Sequence, residues 1–581
     1  MAARCMPAPR LLIALLACVG LGACAAGSQP PAPTPQAAAP AEPADDASPF
    51  GLFLAGRAAS DEGHLTAASS FIGRAAAAEG EPTYLKTQAF GAALRAGDIA
   101  MAASLAPDGS DVALGDRRLG LLVRGVEAMA EGKDKDAYAL LTGPDMGYPF
   151  KTVAQLLAPF AAAGAGDAAA ATARPDADGD QIVQFVGDLD EAQLDERMGH
   201  RSAAEVAYKA MLAGGDDSGL IASAYAGFLE RRGRWDEAAA LYSARLARNP
   251  DDAVAAAALA RAVKHERAPP LGDLRQDAAQ ALLIPAASLM AQKQEALGLD
   301  YLRLALRLDP GSDAAWMLVG DLLTPADVAA ARAAYAHVQP TSDRYVSARD
   351  KLAWTYQNTG DHDEALRLAR ETATTAPASR DAAVTLSDLL RVDEQYAESA
   401  AILTKLIDTA SGLPDWRLYY LRASSYEGAG EAERTEADLQ AALKLAPDEP
   451  ELLNFQGYFW IDRDERLPEA LAMVQKAVDA EPQSGEILDS LGWGYYRMGD
   501  YKTAVAKLEE AAMLQPSIPE VDDHLGDAYW RVGRQTEAQF AWRRVLTLAP
   551  DDKLRERVEA KLASPLGPDA PLTPPAATSH P

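Results

Sequence analysis

The chain has 581 residues, of which 49% are hydrophobic, ample material for a packed core. A formal charge of −29 excludes nucleic acid as a partner, because no basic surface is left over to neutralise phosphates. Excess acid reads as a solvated exterior, with a preference for basic partners as the sharper alternative.

Arg4 and Arg10 precede an apolar run, Leu11–Leu21, which is too short to span a bilayer comfortably and stands where a secretory signal stands. Residues 1–23 are therefore expected to be a signal peptide. Its end, Leu21-Gly22-Ala23-Cys24, resembles the lipobox of bacterial lipoproteins, and that resemblance implies cleavage before Cys24 and a lipid thioether on it. An ordinary signal peptide with a fortuitous cysteine, or an uncleaved anchor, is the alternative. Acyl chains gain about 0.8 kcal/mol per buried methylene, so a triply acylated cysteine holds a protein on a membrane. Ala25, rather than Asp, follows the cysteine; in the sorting rule implied by the resemblance, this points to the outer membrane with the protein facing the periplasm. Cys5 and Cys18 leave with the signal and Cys24 is consumed, so no disulfide is available. Losing Arg4 and Arg10 leaves 53 basic against 84 acidic residues, a charge of −31.

Residues 24–48 are rich in Pro, Ala and small polar residues without apolar periodicity, which predicts a disordered tether reaching roughly 70 Å if extended in polyproline II form. Beyond it a 34-residue beat begins. It is faint over 49–184, where Gly63 with Ala68, Gly97 with Ala102 and Gly132 with Ala137 keep the spacing. It is fair to good over 185–345, through Gly199, Ala204 and Tyr208, then Gly233, Ala238, Tyr242 and Pro250. It is clearest over 346–552, where Gly492 and Gly526, Ala504 and Ala538, and Pro516 and Pro550 recur. Leu488, Leu491, Tyr495, Gly499 and Leu508 complete the signature positions of a tetratricopeptide repeat. Residues 450–484 carry one extra residue in their turn, and 380–413 are degenerate.

A repeat of this length predicts an all-α solenoid, a right-handed superhelix of twelve to fifteen stacked antiparallel helix hairpins, with no strand of any length. The beat breaks at 164–179 and at 267–272, which are expected to be loops or bends. Residues 553–563 place Leu554, Val558 and Leu562 on one face, as a capping helix does, and 564–581 are Pro-rich and expected to be disordered.

The inventory for chemistry is poor. Seven histidines are scattered without paired metal spacing, and no phosphate loop or nucleophile elbow is present. Asp361-His362-Asp363 falls at a hairpin turn and Asp522-Asp523-His524 on consecutive helix positions, so both read as solvated surface, and no metal or cofactor is expected. An enzyme with its site in the irregular stretches 150–184 or 264–285 is the alternative. The inward positions of the last three first helices are instead suited to capturing peptide: Asn454, Tyr458 and Asp462; Asp489, Trp493, Tyr496 and Arg497; Asp523, Asp527, Trp530 and Arg531. Rigid aromatics mixed with forked polar groups grip an extended chain at small entropy cost. For Trp493 and Trp530 the competing role is packing against the next hairpin.

The block from Ile487-Leu488-Asp489-Ser490-Leu491-Gly492-Trp493 through Tyr496-Arg497, His524-Leu525-Gly526, Trp530, Gly533-Arg534 and Trp542 resembles large tetratricopeptide-repeat lipoproteins of Gram-negative bacteria. Some of these are outer-membrane adaptors of carboxyl-terminal processing proteases. The resemblance implies a non-enzymatic scaffold that holds a periplasmic protease and its envelope substrates; the alternative is a scaffold of polysaccharide export or outer-membrane assembly machinery.

Overall fold

The computed structural model describes residues 48–77, 82–173, 181–214, 219–249, 252–410 and 415–564. The expected signal peptide, Cys24, the expected tether up to Ala47 and the Pro-rich stretch after Ser564 lie outside the described residues. Among those described there are thirty helices and no strand, and no helix is long and apolar enough to cross a membrane. Successive helices pack against one another along the chain, most of them as helix hairpins.

The hairpin Gly485–Arg497/Tyr501–Leu514 shows how the repeat is made. Ser484 starts the first helix by accepting from the Ile487 amide, and Asp500 starts the second by accepting from Thr503. Gly499 takes the left-handed turn between them at φ 82°. The helices then approach at small residues: a methyl group at Gly492 would lie 2.7 Å from Leu508 Cγ, and one at Gly526 only 2.4 Å from Trp542 Nε1. Ala504 and Ala538 are fully buried at the same crossings. In Pro450–Asp462/Leu467–Ala480 no glycine makes the turn; Asp464 and Arg466 both take positive φ, which accounts for the extra residue.

The described residues form two compact units, 48–352 and 353–564. In the first, the hairpin Leu274–Ala291/Glu295–Leu308 packs against helices Lys151–Gly164, Leu114–Ala130 and Thr83–Ala96 as well as against its own partner helix. Its second helix buries Leu299, Tyr301, Leu302, Leu304, Ala305, Leu306 and Leu308 over most of its circumference, and Asp300, Arg303 and Arg307 share the remaining stripe. Apolar burial this wide, with the polar stripe itself bonded to neighbouring helices, marks an interior helix. Its arginines finish the ends of older helices: Arg303 Nε donates to the Arg95 carbonyl at 3.0 Å and Arg275 Nε to the Met129 carbonyl at 2.8 Å. Arg307 forks onto Glu127 at 2.7 and 2.8 Å, and Arg197 reaches both Asp277 and the Gly272 carbonyl. Residues 264–273 are a loop without helix, and 274–291 continue as an interior helix.

The second unit carries the regular beat. One core runs from Ala423 and Leu439 through Phe455, Phe459, Leu488, Leu491 and Leu508 to Val521 and Leu525, and the last helix buries Leu554 and Val558 against Trp542 and Val545.

The close crossing at Gly526 yields a test. Gly526→Ala must displace the fully buried Trp542 and should cost about 1–3 kcal/mol, lowering the midpoint of urea unfolding followed by circular dichroism. Gly115→Ala, a helical position with open space beside it, should leave the midpoint unchanged or raise it slightly.

Candidate functional site

The inward positions of helices 450–462, 485–497, 519–531 and 552–563 form one strip, because each helix stands beside its equivalent in the next hairpin. Trp493 lies between two rings, Tyr496 at 4.6 Å and 8° and His524 at 4.2 Å and 15°. His524 Nδ1 is 2.9 Å from Asp489 Oδ2, which ties the imidazole to the preceding hairpin. Arg531 donates to the Tyr496 hydroxyl at 3.3 Å. Arg497 pairs with Asp464 at 2.5 Å and donates to the Asp462 carbonyl at 3.2 Å.

The last helix extends the strip. Lys561 Nζ sits 2.6 Å from Asp523 and 2.8 Å from Asp527, while Arg557 Nε donates to Asp523 at 3.1 Å. Asp527 also accepts from Trp542 Nε1 at 3.1 Å. Of the eleven residues read from sequence as a groove, Tyr458, Asp489, Trp493, Tyr496, Arg497, Asp523 and Asp527 are buried, with Trp493 5% and Tyr496 2% exposed. Asn454, Asp462, Trp530 and Arg531 are half-buried. Tyr458 stays in the core with Phe455 and Phe459, and Trp530 leans on Trp542 with ring centroids 5.7 Å apart.

One expectation fails here. Asp522, Asp523 and His524 were expected as solvated surface, yet they are 2%, 2% and 5% exposed. Neighbours on both sides cover them: Asp489 faces His524, Arg544 faces Asp522, and Arg557 and Lys561 face Asp523. Asp361, His362 and Asp363 are exposed at their turn, as read. Arg557 and Lys561 escaped the sequence reading, although their spacing from Asp523, one repeat upstream, is the available signal.

Burial sets the electrostatics. Glu451, Glu486 and Glu520 recur at the entrance to the strip, and desolvation raises all three; Glu486, also facing Asp489 and Glu451, is pushed up to about 7. Asp522 is raised to about 6 by burial. Burial alone would lower His524, but Asp489 outweighs it and holds the imidazole above its usual range. Burial would likewise raise Asp523, but Lys561 and Arg557 outweigh it and hold the carboxylate low.

In the irregular 150–184 stretch, the recess between Leu156, Pro159, Ala171 and Asp190 has room for no more than about one water molecule. Among the described residues no three His, Cys, Asp or Glu side chains stand together as a metal would require.

The shifts fix a pH dependence. The unfolded chain ionises Glu486 above its ordinary value of 4.5, whereas the folded carboxyl keeps its proton to about 7, so this group withdraws stability as pH rises across that window. His524 acts in the same direction: its contribution is full below its ordinary 6.5 and is lost as pH climbs through the raised folded value. Melting temperature should therefore fall from about pH 5 to about pH 8. Glu486→Gln should raise it at the upper end and flatten the profile in a calorimetric series.

A profile of the tetratricopeptide repeat family matches residues 222–254, the hairpin Leu220–Arg231/Trp235–Arg248 with the start of the next helix. A TPR repeat-containing protein of Pseudomonas aeruginosa is 36% identical over 85 residues, 15% of this chain. The matched stretch covers only 14% of that relative's length. Similar solved structures include a chain of the APC/C hetero-tetramer Cut9-Hcn1, with 14% identity, 90% of this chain and 97% of that one covered and a TM-score of 0.36. Another is a tetratricopeptide repeat protein from Parabacteroides merdae, with 10% identity, 49% and 97% coverage and a TM-score of 0.34. The sequence matches place a tetratricopeptide repeat at residues 222–254, and the helix hairpins on either side of it repeat the same glycine and alanine crossings.

Proposed function

We propose that this protein is a non-enzymatic scaffold, attached to the outer membrane through lipid on Cys24 and facing the periplasm, which captures envelope proteins on its second unit. Arrays of such hairpins leave long surfaces that bind protein or peptide partners. The observation that carries the reading is the strip shared by neighbouring hairpins. Its buried members, Asp489, Trp493, Tyr496, Arg497, Asp523, Asp527 and His524, fix one another. Arg497 meets Asp462, Tyr496 accepts from Arg531 and Trp542 backs Trp530, so these side chains have little entropy left to lose on binding.

The partner is proposed to be a carboxyl-terminal processing protease together with an envelope substrate. Support comes from the Ile487–Trp542 block, and the anchor is supported by Leu21-Gly22-Ala23-Cys24 followed by Ala25. Affinity purification from detergent-solubilised membranes tests the reading. A protease should co-purify, and its substrates should accumulate when the gene is deleted; unchanged substrates with no protease retained would overturn the adaptor role. Asn454→Ala, Trp530→Ala and Arg531→Ala combined should weaken capture by about tenfold or more while the far-ultraviolet circular dichroism stays unchanged.

A further inference from the structure

The acidic side chains of helices Pro450–Asp462, Gly485–Arg497 and Pro519–Arg531 fall into two sets. Asp462 faces Arg497, Asp489 faces His524, Asp522 faces Arg544, and Asp523 and Asp527 share Lys561. Glu451, Glu486 and Glu520 have no such match. Each is the second residue of its helix and half-buried, so the register that stacks Trp493 on His524 also lines the three up along one edge of the strip. Among the described residues, the cations acting on them are Arg417, on Glu451, and His524, on Glu520. Both are engaged elsewhere: Arg417 lies 3.7 Å from Asp415 and over the Trp416 ring, and His524 is bonded to Asp489. The other charges acting on the edge are acidic, Glu449 and Glu481 on Glu451, Asp489 on Glu486 and Glu520, and Asp551 on Glu520. A glutamate in the first turn gains from the helix dipole. Burial outweighs that gain here, since all three carboxyls are held above their ordinary range.

Polar atoms further along the same faces also lack partners. Trp493, two turns beyond Glu486, is 5% exposed and its Nε1 donates to nothing. Asn454, one turn beyond Glu451, has an unpartnered Oδ1. A donor and an acceptor left unmet beside a row of carboxylates are what the main chain of an extended segment satisfies.

We propose that Glu451, Glu486 and Glu520 seat a cationic segment of the protein partner, an extended stretch with Lys or Arg at every third residue, whose main chain runs beside Asn454 and Trp493. This deepens the scaffold reading above and rests on it. Packed helices stand about 8–10 Å apart. A chain of the polyproline II type advances about 3.1 Å per residue with three residues per turn, so its positions i, i+3 and i+6 share one side at the spacing of the helices. Charge complementarity selects the occupant, because an acidic or apolar segment would leave three half-desolvated carboxylates with nothing in return.

The test titrates the full chain against a fluorescein-labelled synthetic peptide with lysine at every third position of a proline and alanine background, read by anisotropy. The spaced peptide should bind, less tightly as salt rises, and Glu451→Gln, Glu486→Gln and Glu520→Gln combined should weaken it about tenfold or more. Removing charge from an acidic chain weakens any basic ligand, so the reference is Glu433→Gln, Glu465→Gln and Glu469→Gln, three exposed glutamates of the same unit. That variant should stay within about twofold of the parent. No binding of the spaced peptide, equal loss in both triple variants, or equal binding of a peptide with its lysines adjacent overturns the proposal. Should the triple variant misfold, Glu486→Gln alone must lower affinity, and unchanged affinity overturns it. A dimer in light scattering that the triple variant abolishes, with no peptide bound, overturns it in favour of a second copy. Protease co-purification is read separately: its absence sinks the adaptor partner while peptide binding stands, and its survival alongside failed peptide binding sinks only the seat.

Discussion

No hairpin in this chain can cover its own apolar surface, and the whole architecture follows from how closely its neighbours must approach. The crossings at Gly492 beneath Leu508 and Gly526 beneath Trp542 leave no room for even a methyl group. Close crossing brings each first helix beside the next first helix at nearly constant spacing, and so equivalent side chains of successive repeats come into register. The stacked rings of Trp493 and His524, contributed by different hairpins, are a product of that register.

Register turns charge into a positional device. Lys561 is 12% exposed and serves both Asp523 and Asp527, which are almost without solvent. Displacing the last helix by one turn would leave two carboxylates buried without their cation, a far larger penalty than the pairing itself returns. The same holds in the first unit, where Arg303 and Arg275 terminate helices 83–96 and 114–130. In both units the charged groups decide which alignment of apolar surfaces is kept.

The local grammar of the fold was legible in the residues: Gly499 for the turn, Ala504 for the crossing, and Leu554 and Val558 for the final face. What a repeat reading misses is contact between elements that are not neighbours in sequence. The local pattern of 295–308 is that of an amphipathic helix, and its polar stripe, Asp300, Arg303 and Arg307, is covered by helices 83–96 and 114–130, which no local pattern announces. Asp522, Asp523 and His524 were read as solvated because consecutive helix residues diverge; they do diverge, but a separate neighbour waits on each side. The inward positions read along these helices do lie side by side, but Tyr458, Asp489, Trp493, Tyr496, Arg497, Asp523 and Asp527 are buried, and the share spent on internal bonding became visible only with Arg557 and Lys561 in place.

The interior hairpin 274–308 also bears on how the chain is assembled. Solenoids ordinarily grow by adding each tile to the last, so a nascent chain can consolidate from its first residue onward. Here Arg303 meets Arg95 across 208 positions and Arg307 meets Glu127 across 180, so helices made early are completed by segments made late. The first unit must keep an unfinished apolar surface until some 200 further residues have emerged, which makes its consolidation slower than a tile-by-tile array and gives a holding chaperone something to grasp meanwhile.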